Sequence, residues 1–184
     1  MEKTSNKNES QIFSIPLFDD NRGSVSDVSY IFKSLNLINI EKIANIICVR
    51  SKRDVLRGLH FQKRKPQRKI IHLIKGKILD VTVNINPSAS DFLKPNYFNM
   101  DAKKNNCLFV PENFLHGYRV LSKEAIIQYY MDRPYIKENQ ISVKLDDELL
   151  AINWGTQSDL IVSEKDKKGL DLKTFLKLLH DKNI

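Results

Sequence analysis

The sequence predicts an all-β chain closed by one short helix. Short runs rich in β-branched and aromatic residues recur at roughly 8–12-residue intervals, the pattern of a β-sandwich or barrel. Turn-forming clusters punctuate them: Asp19-Asp20-Asn21-Arg22-Gly23, Asn86-Pro87-Ser88, Asp101 to Asn106, and Pro111-Glu112-Asn113. Only the last stretch changes period, with Leu172, Phe175, Leu176 and Leu179 at helical spacing behind Gly169 and Asp171.

Taken in order, residues 1–10 are polar and read as a loose N-terminus. The stretch from Val25 to Phe32 fits either a strand or a short helix, whereas Ile43 to Val49 reads as a strand. Ile70 to Ile74 and Leu79 to Ile85 flank Lys75-Gly76 and predict a hairpin. In it, Leu79, Val81, Val83 and Ile85 share one face, and Asp80, Thr82 and Asn84 form a solvated face. Tyr97 to Met100, Leu108 to Val110, the alternating run Phe114, His116, Tyr118, Val120, and Ile126 to Met131 complete the strands. Residues 11–168 read as one domain, and residues 169–184 as an amphipathic helix packed on it.

With 184 residues, the chain suits one domain with a full core. A formal net charge of +8 favours anionic partners. The cysteines, Cys48 and Cys107, lack metal-type spacing and sit among apolar neighbours, so both read as core thiols. The N-terminus has no apolar signal segment, and no stretch approaches the roughly 18 apolar residues of a membrane span, which predicts a cytoplasmic protein. The basic connector from Lys63 to Lys69 lacks interleaved aromatics, which argues against a nucleic-acid surface.

The stretch Asp54 to Leu79 concentrates the chemistry: Arg57, Gly58 and His60, then Lys69 at the head of an apolar run. An imidazole beside a guanidinium and a lysine can move protons next to an anionic ligand. The run Arg57-Gly58-Leu59-His60-Phe61-Gln62, joined to Val110-Pro111-Glu112, Phe114, His116-Gly117-Tyr118 and Ser163-Glu164-Lys165-Asp166, resembles the dTDP-4-dehydrorhamnose 3,5-epimerase family of the cupin superfamily. Arg22-Gly23, Lys69-Ile70-Ile71 and Ile152-Asn153-Trp154 extend the resemblance over about residues 12–168.

The resemblance implies an antiparallel jelly-roll β-sandwich and a cofactor-independent, metal-free epimerase of a nucleotide-linked 4-keto-6-deoxy sugar. Such a reaction needs a base on one sugar face, an acid on the other, and stabilisation of the enolate between them. By resemblance, His60 is the base, Asp166 holds its tautomer, Tyr129 is the acid and Lys69 faces the keto oxygen. His116, Tyr118 and Tyr135 surround the sugar, and Arg22, Arg57 and Lys165 contact the diphosphate. Gln62, Asp27, Asn45 and Gln140 stand at further substrate-binding positions. The family is typically a homodimer in which residues like Arg22 reach the partner's site.

Several positions depart from the family pattern. Where the family has Gln-Asp-Asn in contact with the nucleotide base and sugar, this chain has Asn45-Ile46-Ile47. Asp27 replaces a glutamate, and Ser-Pro-Glu-His-Glu becomes Ile136-Lys137-Glu138-Asn139-Gln140. The connector to Lys69 is shorter and more basic. These changes leave the proton-transfer set intact and favour an altered nucleotide or sugar. A jelly roll that binds a nucleotide sugar without turnover is the alternative. A metal-dependent cupin oxygenase is a third reading, but the position two after His60 is Gln62 rather than a second histidine.

Overall fold

A computed structural model describes residues 6–35, 37–156 and 159–180, without the side chains of residues 34 and 35. Among these described residues thirteen strands and three α-helices follow in chain order. They are β1 (Gln11–Ser14), β2 (Phe18–Asp20), β3 (Gly23–Val25), α1 (Ser29–Leu35), β4 (Asn45–Lys52), β5 (Val55–Gln62) and β6 (Lys69–Lys75). Then come β7 (Lys77–Asn84), β8 (Pro95–Asp101), β9 (Asn106–Val110), β10 (Phe114–Val120) and β11 (Glu124–Met131). The last elements are β12 (Gln140–Ser142), β13 (Ile161–Val162), α2 (Glu164–Lys167) and α3 (Leu172–His180).

Two sheets face each other, one ordered β1-β9-β6-β11-β4 and the other β12-β5-β10-β7-β8, with β13 added parallel to the start of β5. From β4 to β7 and from β9 to β11 successive strands alternate between the sheets, which is the jelly-roll sandwich expected. The predicted Lys75-Gly76 hairpin is therefore corrected. β6 and β7 belong to different sheets, and Gly76 turns the corner between them at φ +91°. A Cβ there would collide with the carbonyl oxygen of Glu124.

Among the described residues three apolar cores form, because each sheet is covered over much of its outer face. Ile71, Leu73, Ile78, Leu108, Phe114 and Ile127 fill part of the space between the sheets. Phe13, Ile31, Phe32, Leu37 and Phe109 form a second core where the N-terminal segment and α1 cover the first sheet. Leu59, Val81, Leu115, Trp154, Leu172 and Phe175 form the third, where the C-terminal segment and α3 cover the second sheet. The Val25–Phe32 stretch divides: Val25 ends β3, and Ser29 to Phe32 begin α1, whose Ile31 and Phe32 reach one core from one side.

This covering inverts the predicted faces of β7. Leu79, Val81, Val83 and Ile85 do pack together, but outward, beneath the C-terminal segment. The expected solvated face points into the sandwich: Asp80 and Thr82 are 0% exposed and Asn84 is 3%. Each finds a partner there, His116 for Asp80, Ser10 for Thr82 at 2.7 Å and Asp91 for Asn84 at 2.7 Å. β10 is likewise buried along its whole length. Cys107 lies in the core as expected, but Cys48 is exposed, because the outer face of edge strand β4 has no cover. Residues 1–5 and 181–184 of the predicted terminal segments lie outside the described residues.

Gly76→Ala is expected to lower stability by about 3 kcal/mol or more, since a strained φ adds to a backbone collision. Gly23, at φ +127° with nothing near its missing Cβ, should lose only about 1 kcal/mol on the same change. Urea midpoints of the two variants provide the comparison, and equal losses would remove the corner role given to Gly76.

Candidate active site

A cavity of about 440 Å³ opens between the sheets where the interior is not filled by the apolar core. Arg57, His60 and Gln62 of β5 and His116 and Tyr118 of β10 line one wall. Lys69 of β6, Tyr129 and Met131 of β11, and Ile47 and Val49 of β4 line the other. Tyr135, Lys137, Gln140, Lys165 and Asp166 close the rim.

A bulge lets Arg57 and His60 share that wall. In a regular strand, residues three apart point to opposite faces. Here His60 pairs with His116 and Arg57 with Tyr118, so β5 spends one more residue than β10 between the two pairs. The extra residue is absorbed at Gly58, with φ +126°. A Cβ on Gly58 would stand 2.6 Å from the Cα of Gly117, and a Cβ on Gly117 2.7 Å from the carbonyl oxygen of Arg57. The glycines of the Arg-Gly-Leu-His and His-Gly-Tyr motifs thus allow one close crossing of backbones.

Two histidine–carboxylate pairs stand along this wall. The Nε2 of His60 lies 2.7 Å from Asp166 Oδ1, bringing together residues far apart in sequence. Burial pushes the His60 imidazole below its ordinary range, against the opposing pull of Asp166, so the ring is neutral at pH 7. Burial also acts to raise Asp166, but hydrogen bonding to His60, to the Ser163 side chain and to Ser142 Oγ (3.2 Å) outweighs it and holds the carboxyl low. Asp166 therefore stays anionic, keeps hydrogen on the nitrogen facing it and leaves the other ring nitrogen with its lone pair.

The second pair is His116 and Asp80, with Nε2 2.9 Å from both carboxylate oxygens. Asp80 escaped prediction because the β7 pattern places it on a solvated face. Its place across from Tyr118, beside His116, comes from strand pairing and left no signal in the sequence. Burial raises the Asp80 carboxyl, opposed by His116 and Lys69.

On the facing wall, burial lowers the Lys69 ammonium to about 8, with Asp80 opposing. Burial pushes the Tyr129 phenol well above its ordinary value, reinforced by Tyr118 and Asp80, so it keeps its proton. Its ring meets that of His116 edge-on, with centroids 6.2 Å apart. The cavity therefore sets a neutral imidazole in one wall against a protonated phenol in the other. Ser51, also missed from sequence, hydrogen-bonds Tyr118 at 2.9 Å and accepts from Arg57 at 3.3 Å, fixing both side chains.

At the rim, Gln140 Oε1 accepts hydrogen bonds from Tyr135 (2.6 Å) and Lys165 (2.8 Å), and Asn45 accepts from the Tyr135 backbone at 2.8 Å. Gln62 donates to the carbonyls of Lys65 and Pro134 and so ties the basic connector to the rim. Three predicted residues do not line this cavity: Asn45 reaches only the backbone of Tyr135 at its rim, and two lie elsewhere. Arg22 sits on the β2–β3 hairpin paired with Asp20, and the exposed Asp27 accepts from the backbone of Ser29. Among the described residues, no group of three or more His, Cys, Asp or Glu is arranged to hold a metal, and no helix is long and apolar enough to cross a membrane.

The family model described as dTDP-4-dehydrorhamnose 3,5-epimerase matches residues 7–174. A protein of that name from Methanothermobacter thermautotrophicus is 36% identical over 125 residues, covering 67% of this chain and 68% of the relative. The crystal structure of the enzyme of that name from Elizabethkingia anophelis superposes with a TM-score of 0.80 at 31% identity, over 90% of this chain and 92% of its own. A dTDP-6-deoxy-D-glucose-3,5-epimerase from Legionella pneumophila, solved in complex with dTDP-4-keto-L-rhamnose, gives 0.83 at 25% identity, with 91% of each chain covered. The motifs, the fold and these matches converge: the chain belongs to the dTDP-4-dehydrorhamnose 3,5-epimerase family.

Proposed function

We propose that the protein is a cofactor-independent epimerase of a nucleotide-linked 4-keto-6-deoxy sugar, serving deoxysugar biosynthesis. The observation that carries this is the opposition of neutral His60 and protonated Tyr129 across one cavity. His60 takes the proton from a carbon next to the ketone, and the C–H electron pair moves to the keto oxygen. Lys69, with His116 held by Asp80, stabilises the resulting enolate. Tyr129 returns a proton to the same carbon from the other face, which inverts it. Water then reprotonates the phenolate and takes the proton from His60.

Arg57 and Lys165 hold the diphosphate, and Tyr135 and Gln140 frame the nucleotide side. The same proposal makes the protein a cytoplasmic homodimer in which Arg22 and Asp27 meet the partner's cavity. The β2–β3 hairpin supports this: it leaves Phe18 and Val25 about 68% and 71% exposed, an apolar pair suited to a protein contact.

In D₂O, dTDP-4-keto-6-deoxyglucose is expected to gain deuterium at C3, C5 or both. Nucleotide-sugar binding with no deuterium uptake from the dTDP, GDP or CDP sugar would instead support a binding module. His60→Ala should reduce exchange at least 10³-fold, whereas Tyr129→Phe should change which centre inverts or the product stereochemistry. Retained exchange in the His60 variant would refute the assigned base.

The pH profile of kcat/KM should be bell-shaped. His60 must be neutral, so activity falls as pH drops through its lowered pKa, below 6.5. Lys69 must be charged, so activity falls as pH rises through about 8. Lys69→Arg should carry the upper limb to higher pH in whatever activity remains, and an unmoved limb would exclude Lys69 as its source.

A further inference from the structure

The connector between β5 and β6 is a charged motif that the proposed chemistry leaves unused. Residues 63–69 hold five cations and no carboxylate. Two of these are engaged: Lys69 lines the cavity, and Arg68 lies 3.5 Å from Glu112. Among the described residues, Lys63, Arg64 and Lys65 form no ion pair, and the Nζ of Lys63 is buried with no hydrogen-bond partner. Hydrogen bonds hold this segment at the cavity mouth. Gln62, a lining residue, donates to the Lys65 carbonyl at 2.9 Å, and Gln67 lines the cavity itself. The Lys63 N–H donates at 2.9 Å to the carbonyl of Asn139, the residue before the lining Gln140. The other rim segment, residues 132–140, sets Arg133 and Lys137 against Asp132 and Glu138 and is neutral by count. Of these two segments, the connector alone carries excess positive charge.

Such charges act on an anion without touching it. Attraction between ions in water extends over the Debye length, about 10 Å at 0.1 M salt and about 30 Å at 0.01 M. A mouth lined by one sign of charge raises the local concentration of the opposite sign and its rate of entry. We propose that Lys63, Arg64 and Lys65 form an electrostatic collar that speeds capture of a nucleoside diphosphate by the cavity without holding it once bound. The choice of ligand rests on the epimerase reading; the collar adds how that ligand reaches the site.

The test follows dTDP association and dissociation by stopped flow, through the fluorescence of the cavity tyrosines, and pyrophosphate affinity by calorimetry. The double change Arg64→Gln and Lys65→Gln, at two exposed positions, should slow dTDP association about fivefold at 10 mM salt. At 1 M salt, where the Debye length is about 3 Å, the loss should shrink below twofold. Dissociation should stay within twofold at both, and pyrophosphate affinity should fall about fivefold at 10 mM salt. Lys103 and Lys104, also exposed, follow β8 beside the Gly76 corner, the length of β6 (~20 Å) from Lys69. Changing both to Gln removes the same net charge and should alter association less than twofold. Equal losses from the two pairs, a loss carried by dissociation, or native protein that binds neither anion would overturn the inference. Neither probe is turned over, so a lack of deuterium exchange with every sugar counts against the epimerase reading alone. Binding of pyrophosphate but not dTDP counts against the nucleotide, and the pyrophosphate comparison then decides the collar.

Discussion

The close crossing of β5 and β10 at Gly58 and Gly117 is the constraint on which the site depends. A side chain at either position would push the strands apart and remove the bulge. Without the bulge, Arg57 and His60 would point to opposite faces, one into the cavity and one into the apolar core beneath the C-terminal segment. Anion contact and proton abstraction share a wall because two residues lack a Cβ.

The second determinant is that the sheet holding β7 and β10 is covered outside, which turns their polar residues into the sandwich. Burial acts differently on each group. It lowers the imidazole of His60 and the ammonium of Lys69, and it raises the phenol of Tyr129 and the carboxyl of Asp80. Asp166 escapes this trend because three hydrogen bonds converge on it. One enclosure thus leaves a neutral base, a protonated acid and a cation of moderate acidity within the same few strands, the protonation states that enolate chemistry needs. The two histidine–carboxylate pairs satisfy each other, which offsets their burial.

Much of this was legible in the sequence. The motif around His60, the run around His116 and the terminal Ser163-Glu164-Lys165-Asp166 each carry a local signature, and the strand pattern predicts a sandwich or barrel. Other features were not legible. The period-2 pattern of β7 separates its two faces correctly but does not say which one meets water. The polar face was the inner one because the C-terminal segment covers the apolar one. Lys75-Gly76 has the chemistry of a tight hairpin, yet the chain changes sheets there. A corner and a hairpin make the same demand on φ.

What the sequence by itself determined is the set of groups able to react and the alternation of strands that could carry them, since residue type and period 2 are local properties. The tertiary structure alone decided which of them meet. His60 and Asp166 are joined across 106 residues, and His116 and Asp80 across 36, by the pairing of strands into sheets. It also decided their protonation, because desolvation depends on what the rest of the chain places around a group rather than on its neighbours in sequence.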